Sequence, residues 1–152
     1  MIKTEELFIP ELKAKFKVIE VDWEPISEST WTLQYEDYPI FMAYNLFATK
    51  EEHKKLAGQE IEACIDIFFY EGVKIIKKEK DISFEGGFLK VTGQVDDIIE
   101  FSIGSRDKTI QKYIEYKLNS VFPVIISRLP KGAKLGDWVT IEGEAQIEFP
   151  WS

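Results

Sequence analysis

Residues 134–149 read KLGDWVTIEGEAQIEF, and this stretch decides the fold class of the chain. From Val139 onward every second residue is apolar or glycine, and the residues between are threonine, glutamine or glutamate. A period of two is typical of a strand that buries one face and exposes the other. Gly136 and Asp137, just before the run, are favoured turn residues. We therefore predict a half-buried β-strand that follows a turn.

Similar patterns upstream predict further strands. The alternation in residues 12–23 changes phase near Ile19, which predicts a β-bulge there. Glu71-Gly72 predicts a tight hairpin, and Gly86-Gly87 predicts a second turn. The other predicted strands cover residues 31–35, 40–48, 61–69, 73–77, 89–95 and 122–127.

Residues 105–120 fit two kinds of secondary structure. Asp107 can act as an N-cap, and the apolar side chains that follow keep helical spacing. The same segment can also form a strand whose one face carries Ile110, Ile114, Tyr116 and Leu118. We favour the helix.

Residues 58–149 thus read strand, strand, strand, helix, strand, strand, with the segment GDWVTIEG at residues 136–143 opening the last strand. This order resembles the OB-fold, a five-stranded, partly open barrel. The resemblance implies a mostly β chain with an OB-like barrel over residues 58–152. Residues 1–57 would form a β-rich N-terminal extension packed on the barrel, with a charged, helix-compatible turn at residues 50–58 as the boundary.

Charge argues against the nucleic-acid binding that many OB-folds perform. The chain has 19 basic and 27 acidic residues, a net charge of −8, and residues 1–57 and 58–152 each carry −4. An evenly negative field repels phosphate backbones and favours basic partners. We expect no nucleic-acid partner.

Cysteine content and hydropathy indicate the compartment. Cys64 is the single cysteine, so no intramolecular disulfide can form, which is typical of a reducing compartment. The longest apolar run is about half the length that a membrane-spanning helix needs. We expect a soluble cytoplasmic protein that does not span a membrane, and its oligomeric state stays open.

Residues with catalytic potential are few. A structural zinc site needs several cysteine or histidine ligands, and this chain has Cys64 and His53 alone. His53 lies in the charged segment EEHKK, typical of a solvated turn, and Cys64 lies mid-strand as a small hydrophobe. We expect no catalytic, metal or cofactor site.

Aromatic and acidic side chains are the remaining signal, since aromatic residues make up 14% of the chain. Trp138 takes the polar phase of the last strand, where Glu142 and Glu144 also lie, and Asp96-Asp97 is an adjacent acidic pair. Aromatic side chains are favoured at interfaces. We predict that these five residues contact a partner.

Three functions fit these features. The first is a non-catalytic, acidic protein-binding module that neutralises a basic partner, such as a nuclease toxin. The second is a β-barrel that binds a small ligand or saccharide, as the aromatic content suggests. The third, which we rank last, is a hydrolase with two carboxylates that converge in a cleft.

Overall fold

The computed structural model describes residues 1–24, 29–45, 51–104 and 107–149. Within these ranges almost all regular structure is β, as predicted, with two short 3₁₀ helices at Pro10–Leu12 and Glu51–Leu56. No helix among these residues is long and apolar enough to cross a bilayer. The strands are β1 (Ile2–Thr4), β2 (Ala14–Asp22), β3 (Ser29–Gln34), β4 (Phe41–Asn45), β5 (Glu60–Ile75), β6 (Asp81–Glu85), β7 (Phe88–Gly104), β8 (Ile110–Asn119), β9 (Pro123–Ile126) and β10 (Trp138–Glu148).

Two long antiparallel strands, β5 and β10, form the centre of the sheet. They pair along residues 64–75 and 138–148. Pairings from β10 through β4, β3 and β2 lead back to β5, and pairings from β10 through β7, β8 and β9 also lead back to β5. The hydrogen bonding therefore runs as a ring through eight strands that the β5–β10 ladder divides into two five-strand circuits. The predicted partly closed sheet is confirmed in this general form.

The main core is formed by buried apolar side chains from β2 to β10. On β10 the predicted alternation is confirmed, because Val139, Ile141 and Ile147 are fully buried. Trp31 of β3 is also fully buried, and its indole N–H donates to the hydroxyl of Ser29 at 2.8 Å. Burial of one face of each strand supplies the main stabilisation of the fold.

A smaller apolar cluster covers the opposite face of β5. Cys64, Ile99, Phe101 and Ile125 pack there under residues 8–12. The thiol of Cys64 donates a hydrogen bond to the carbonyl oxygen of Ile9 at 3.2 Å. The sulfur also accepts one from the backbone N–H of Ile9 at 3.3 Å. Cys64 is therefore a buried packing residue, as predicted, and burial raises the pKa of its thiol to about 11.

Two local predictions are confirmed, one made from a change in the phase of alternation and one from a pair of glycines. The register between β2 and β3 shifts between Val18 and Glu20, so a bulge lies at Ile19 as expected. Gly86 and Gly87 connect β6 to β7 with φ of 62° and 86°, a conformation that favours glycine.

The predicted helix in residues 105–120 is wrong. Ile110–Asn119 forms β8 and pairs with β7 over residues 94–104, while residues 105 and 106 lie outside the described ranges. A side chain every four residues fits a strand face as well as a helix face, because four is twice the strand period. Partner strand β7 decides between them. Asp107 accepts hydrogen bonds from Thr109 in a turn, so it does not cap a helix.

The predicted hairpin at Glu71-Gly72 is also wrong. Strand β5 continues through both residues to Ile75, because β10 offers it a partner over its whole second half. Gly72 lies within the strand rather than in a turn, and a Cβ there would lie 2.7 Å from Cδ1 of Ile141, so that this side chain would have to shift. The predicted strand at residues 40–48 is β4, Phe41–Asn45, and residues 46–48 lie outside the described ranges.

Candidate functional site

Strand β10 carries three of the predicted contact residues on its outward face. Trp138 and Glu142 are half-buried, and Glu144 is exposed. They alternate with buried residues, so all three side chains point away from the main core. Trp138 is the first residue of β10, and Glu144 lies six residue steps farther along the strand, roughly 20 Å away.

The other two predicted residues lie elsewhere. Asp96 forms an ion pair with Lys117 at 3.4 Å, and Asp97 forms one with the α-amino group of Met1 at 3.1 Å. The hydrogen bond from that amino group, followed by the backbone N–H of Ile98, lowers the pKa of Asp97. Both carboxylates thus form ion pairs within the chain, and the structure does not bring them beside Glu142 and Glu144.

Aromatic residues from two neighbouring strands surround the glutamates. Phe68 of β5 is directly opposite Glu144, and its side chain has an exposed fraction of 64%. Tyr70 is 63% exposed and stacks on Phe88 of β7, with ring centroids 5.1 Å apart and planes inclined by 13°. Opposite residues on paired strands share a face of the sheet. We call Phe68, Tyr70, Phe88, Glu142 and Glu144 the aromatic–acidic face.

A bulge in β5 shapes this face. Glu142 pairs with Glu71 whereas the next residue, Gly143, pairs with Phe69, so Tyr70 has no partner on β10. The extra residue places Tyr70 and Glu71 on the surface consecutively, and both are exposed. The bulge therefore adds a third carboxylate, that of Glu71, beside the aromatic–acidic face.

The carboxylates of this surface are available to a partner. Among the described residues, no ion pair involves Glu71, Glu142 or Glu144. An open groove of about 330 Å³ runs alongside and is lined partly by Glu71, Lys90 and Glu142. Lys90 is opposite Glu142 on β7 and adds a cation to the lining of the groove.

A second group of acidic residues was not predicted from the sequence. Burial raises the pKa of Asp66 well above its ordinary range, and the carboxylates of Glu115 and Glu148 raise it further. Burial also raises the pKa of Glu115 and of Glu148 to about 7. The three residues come from β5, β8 and β10, so no local sequence signal marks them. The described residues contain no set of three or more potential ligands placed to hold a metal ion.

The position of His53 differs from the prediction of a solvated turn. Its ring is half-buried and lies 5.8 Å from the ring of Trp31 and 5.4 Å from that of Phe149. The Glu51–Leu56 helix packs against β2, which places this side chain over the edge of the core. His53 therefore contributes to packing.

Comparisons with known proteins do not assign a family. No protein-family model, no curated protein and no solved structure matches this chain.

Proposed function

We propose that this chain is a non-catalytic protein-binding module that docks a basic partner on its aromatic–acidic face. The observation that carries the proposal is the pair of widely exposed rings, Phe68 and Tyr70, beside carboxylates without ion pairs. Large apolar side chains grouped on a surface mark interaction sites more often than single ones do.

The two kinds of side chain would contribute differently to binding. Burying Phe68 and Tyr70 under a partner removes apolar area from water, and aromatic side chains are frequent binding hot spots. The carboxylates of Glu142 and Glu144 would attract a basic surface from a distance and accelerate encounter. The net charge of −8 extends this attraction over the whole molecule.

A nuclease toxin is one basic partner that fits this proposal. Such an enzyme presents cations to the phosphate groups of its substrate, and carboxylates can occupy the same cations. Covering these cations would block substrate binding without any chemistry by this chain.

The test is affinity capture with matched charge variants. Immobilised wild type is compared with the double variant Glu142→Gln/Glu144→Gln. The control variant is Glu51→Gln/Glu52→Gln, which removes two exposed charges from the 3₁₀ helix that packs on β2. We expect a basic protein that binds wild type and control, is lost from the face variant, and elutes as salt is raised.

A second variant separates the apolar contribution from charge. Phe68→Ala removes an exposed ring, and we expect its loss of affinity to persist at high salt. The control is Ile76→Ala, because Ile76 is 96% exposed and lies outside the face. If every captured protein binds wild type and both face variants equally, or if none binds wild type, the proposed function is wrong.

A further inference from the structure

The composition of the aromatic–acidic face points to a particular cation. Glu144 has Phe68 directly opposite it on β5. On its other side, the last β10–β7 pair joins Gly143 to Leu89, so Phe88 is the next residue in register. Glu144, which is exposed, therefore has an aromatic residue beside it on each neighbouring strand. Tyr70 adds a third ring, which stacks on Phe88.

We propose that this face recognises arginine side chains of its basic partner in preference to lysine side chains, an inference that rests on the proposed function. A guanidinium is planar and can lie flat on a ring while its N–H fork donates to a carboxylate. An ammonium group is a compact, strongly hydrated charge that cannot present a flat face to the ring. Beside these residues a guanidinium can therefore make two favourable contacts at once, one with a ring and one with the free carboxylate.

The molecule itself contains a close contact between a guanidinium group and an aromatic ring. The guanidinium carbon of Arg128 lies 4.4 Å from the ring centroid of Phe69, the residue between Phe68 and Tyr70. The ammonium of Lys54 lies farther from its ring, 5.6 Å from the centroid of Trp23. Phe69 is half-buried and its ring is already covered, whereas Phe68 and Tyr70 are open to a second molecule.

Exposure of the rings also favours a flat contact over an enclosed one. With 64% and 63% of their side chains exposed, Phe68 and Tyr70 form an open platform. An aromatic cage for methylated lysine would surround its ligand with rings. We therefore expect trimethyl-lysine to bind no better than lysine.

The experiment uses the full chain and four peptide probes of equal length: oligo-arginine, oligo-lysine, oligo-trimethyl-lysine and oligo-citrulline. Citrulline keeps the planar shape of arginine without its charge. Dissociation constants come from NMR titration of the isotope-labelled protein, which also identifies the amides that shift. We expect oligo-arginine to bind about two- to fivefold more tightly than oligo-lysine, with shifts at β5, β7 and β10 around Glu144. Oligo-citrulline should bind more weakly than both.

Leucine variants test the role of the rings while keeping apolar bulk. In Phe68→Leu/Tyr70→Leu we expect the preference for arginine to disappear while oligo-lysine binds as before. Ile76→Leu serves as the control and should keep the preference. Circular dichroism confirms that each variant is folded.

The results separate this inference from the proposed function. Equal affinity for oligo-arginine and oligo-lysine, a preference that survives in the leucine variant, or tighter binding of a trimethyl-lysine peptide would overturn the inference. Docking of a basic partner could still hold, because affinity capture tests it independently. Peptide shifts located away from the aromatic–acidic face would likewise reject arginine recognition there.

Discussion

At the scale of single residues, the carboxyls of Glu115 and Glu148 lie in an unusual environment. Both lie half-buried near Asp66, and both have a pKa raised by burial to about 7 from an ordinary 4.5. Ionising these carboxyls in the folded chain places a negative charge in a poorly solvated region, which costs free energy. In the unfolded chain the same carboxyls are solvated, so this cost is absent. These residues therefore make stability depend on pH.

The sign of this dependence follows from the direction of the shift. Below about pH 4.5 the two carboxyls are protonated in both the folded and the unfolded chain, and their contribution to the free energy of unfolding is then most favourable. Between pH 4.5 and pH 7 the unfolded state loses protons first, so the free energy of unfolding falls as pH rises. Above pH 7 both states are ionised and the loss is complete.

We expect Glu148→Gln to raise the free energy of unfolding at pH 8 by on the order of 1 kcal/mol, less than the full shift implies because the carboxyl keeps some solvent contact. The gain should vanish near pH 4.5. Urea denaturation across this pH range measures it, with the exposed residue in Glu85→Gln as control. Equal gains at both ends of the range would contradict the prediction.

At the scale of secondary-structure elements, the close approach of β5 and β10 depends on a glycine. A Cβ on Gly143 would overlap the carbonyl oxygen of Phe68 and lie 2.8 Å from Cγ2 of Ile67. Backbone cannot move aside as a flexible side chain can. Gly143 stands next to the bulge that presents Tyr70, so the same contact supports the aromatic–acidic face.

We expect Gly143→Ala to lower the free energy of unfolding by about 1–3 kcal/mol, because the two strands must separate to admit the methyl group. Chemical denaturation measures the loss. Gly104→Ala is the matched control, since it also lies in a strand and has nothing within 4 Å of the added Cβ. A loss that is the same in both variants would show that strand propensity, not close approach, is responsible.

At the scale of the whole molecule, the pairing of β4 with β10 closes one of the two circuits. Within the part of the chain that the structure describes, the two strands share one registered pair, Tyr44 with Gln146. Beside it the side-chain amide of Asn45 donates to the carbonyl of Ile147 at 2.9 Å in a buried position. This hydrogen bond adds a buried side-chain contact to the backbone pairing of the two strands.

We expect Asn45→Ala to lower the free energy of unfolding by about 1–3 kcal/mol, since it leaves a buried carbonyl with one partner fewer. Hydrogen exchange should also quicken in β4 more than in β6, which lies outside the circuit. Gln34→Ala, which removes an exposed amide bonded to the carbonyl of Tyr38, provides the control. Unchanged exchange in β4 would contradict a role in closure.

Alternation along the chain was enough to predict a mostly β protein, the core face of β10, the bulge at Ile19 and the turn at Gly86-Gly87. These features depend on near neighbours in sequence, because side-chain period and glycine φ are local properties. The packing role of Cys64 was predicted on the same basis.

Pairing between distant strands decided the secondary structure of residues 110–119 and the side-chain clusters on the sheet. Residues 110–119 suit a helix or a strand locally, and only the partner β7 selects the strand. Glu142 and Glu144 were identified from β10 alone, but the rings beside them come from β5 and β7, which the ladders bring together. Asp66, Glu115 and Glu148 meet for the same reason. Which strands pair is set by packing of the whole chain, and a linear pattern does not contain that information.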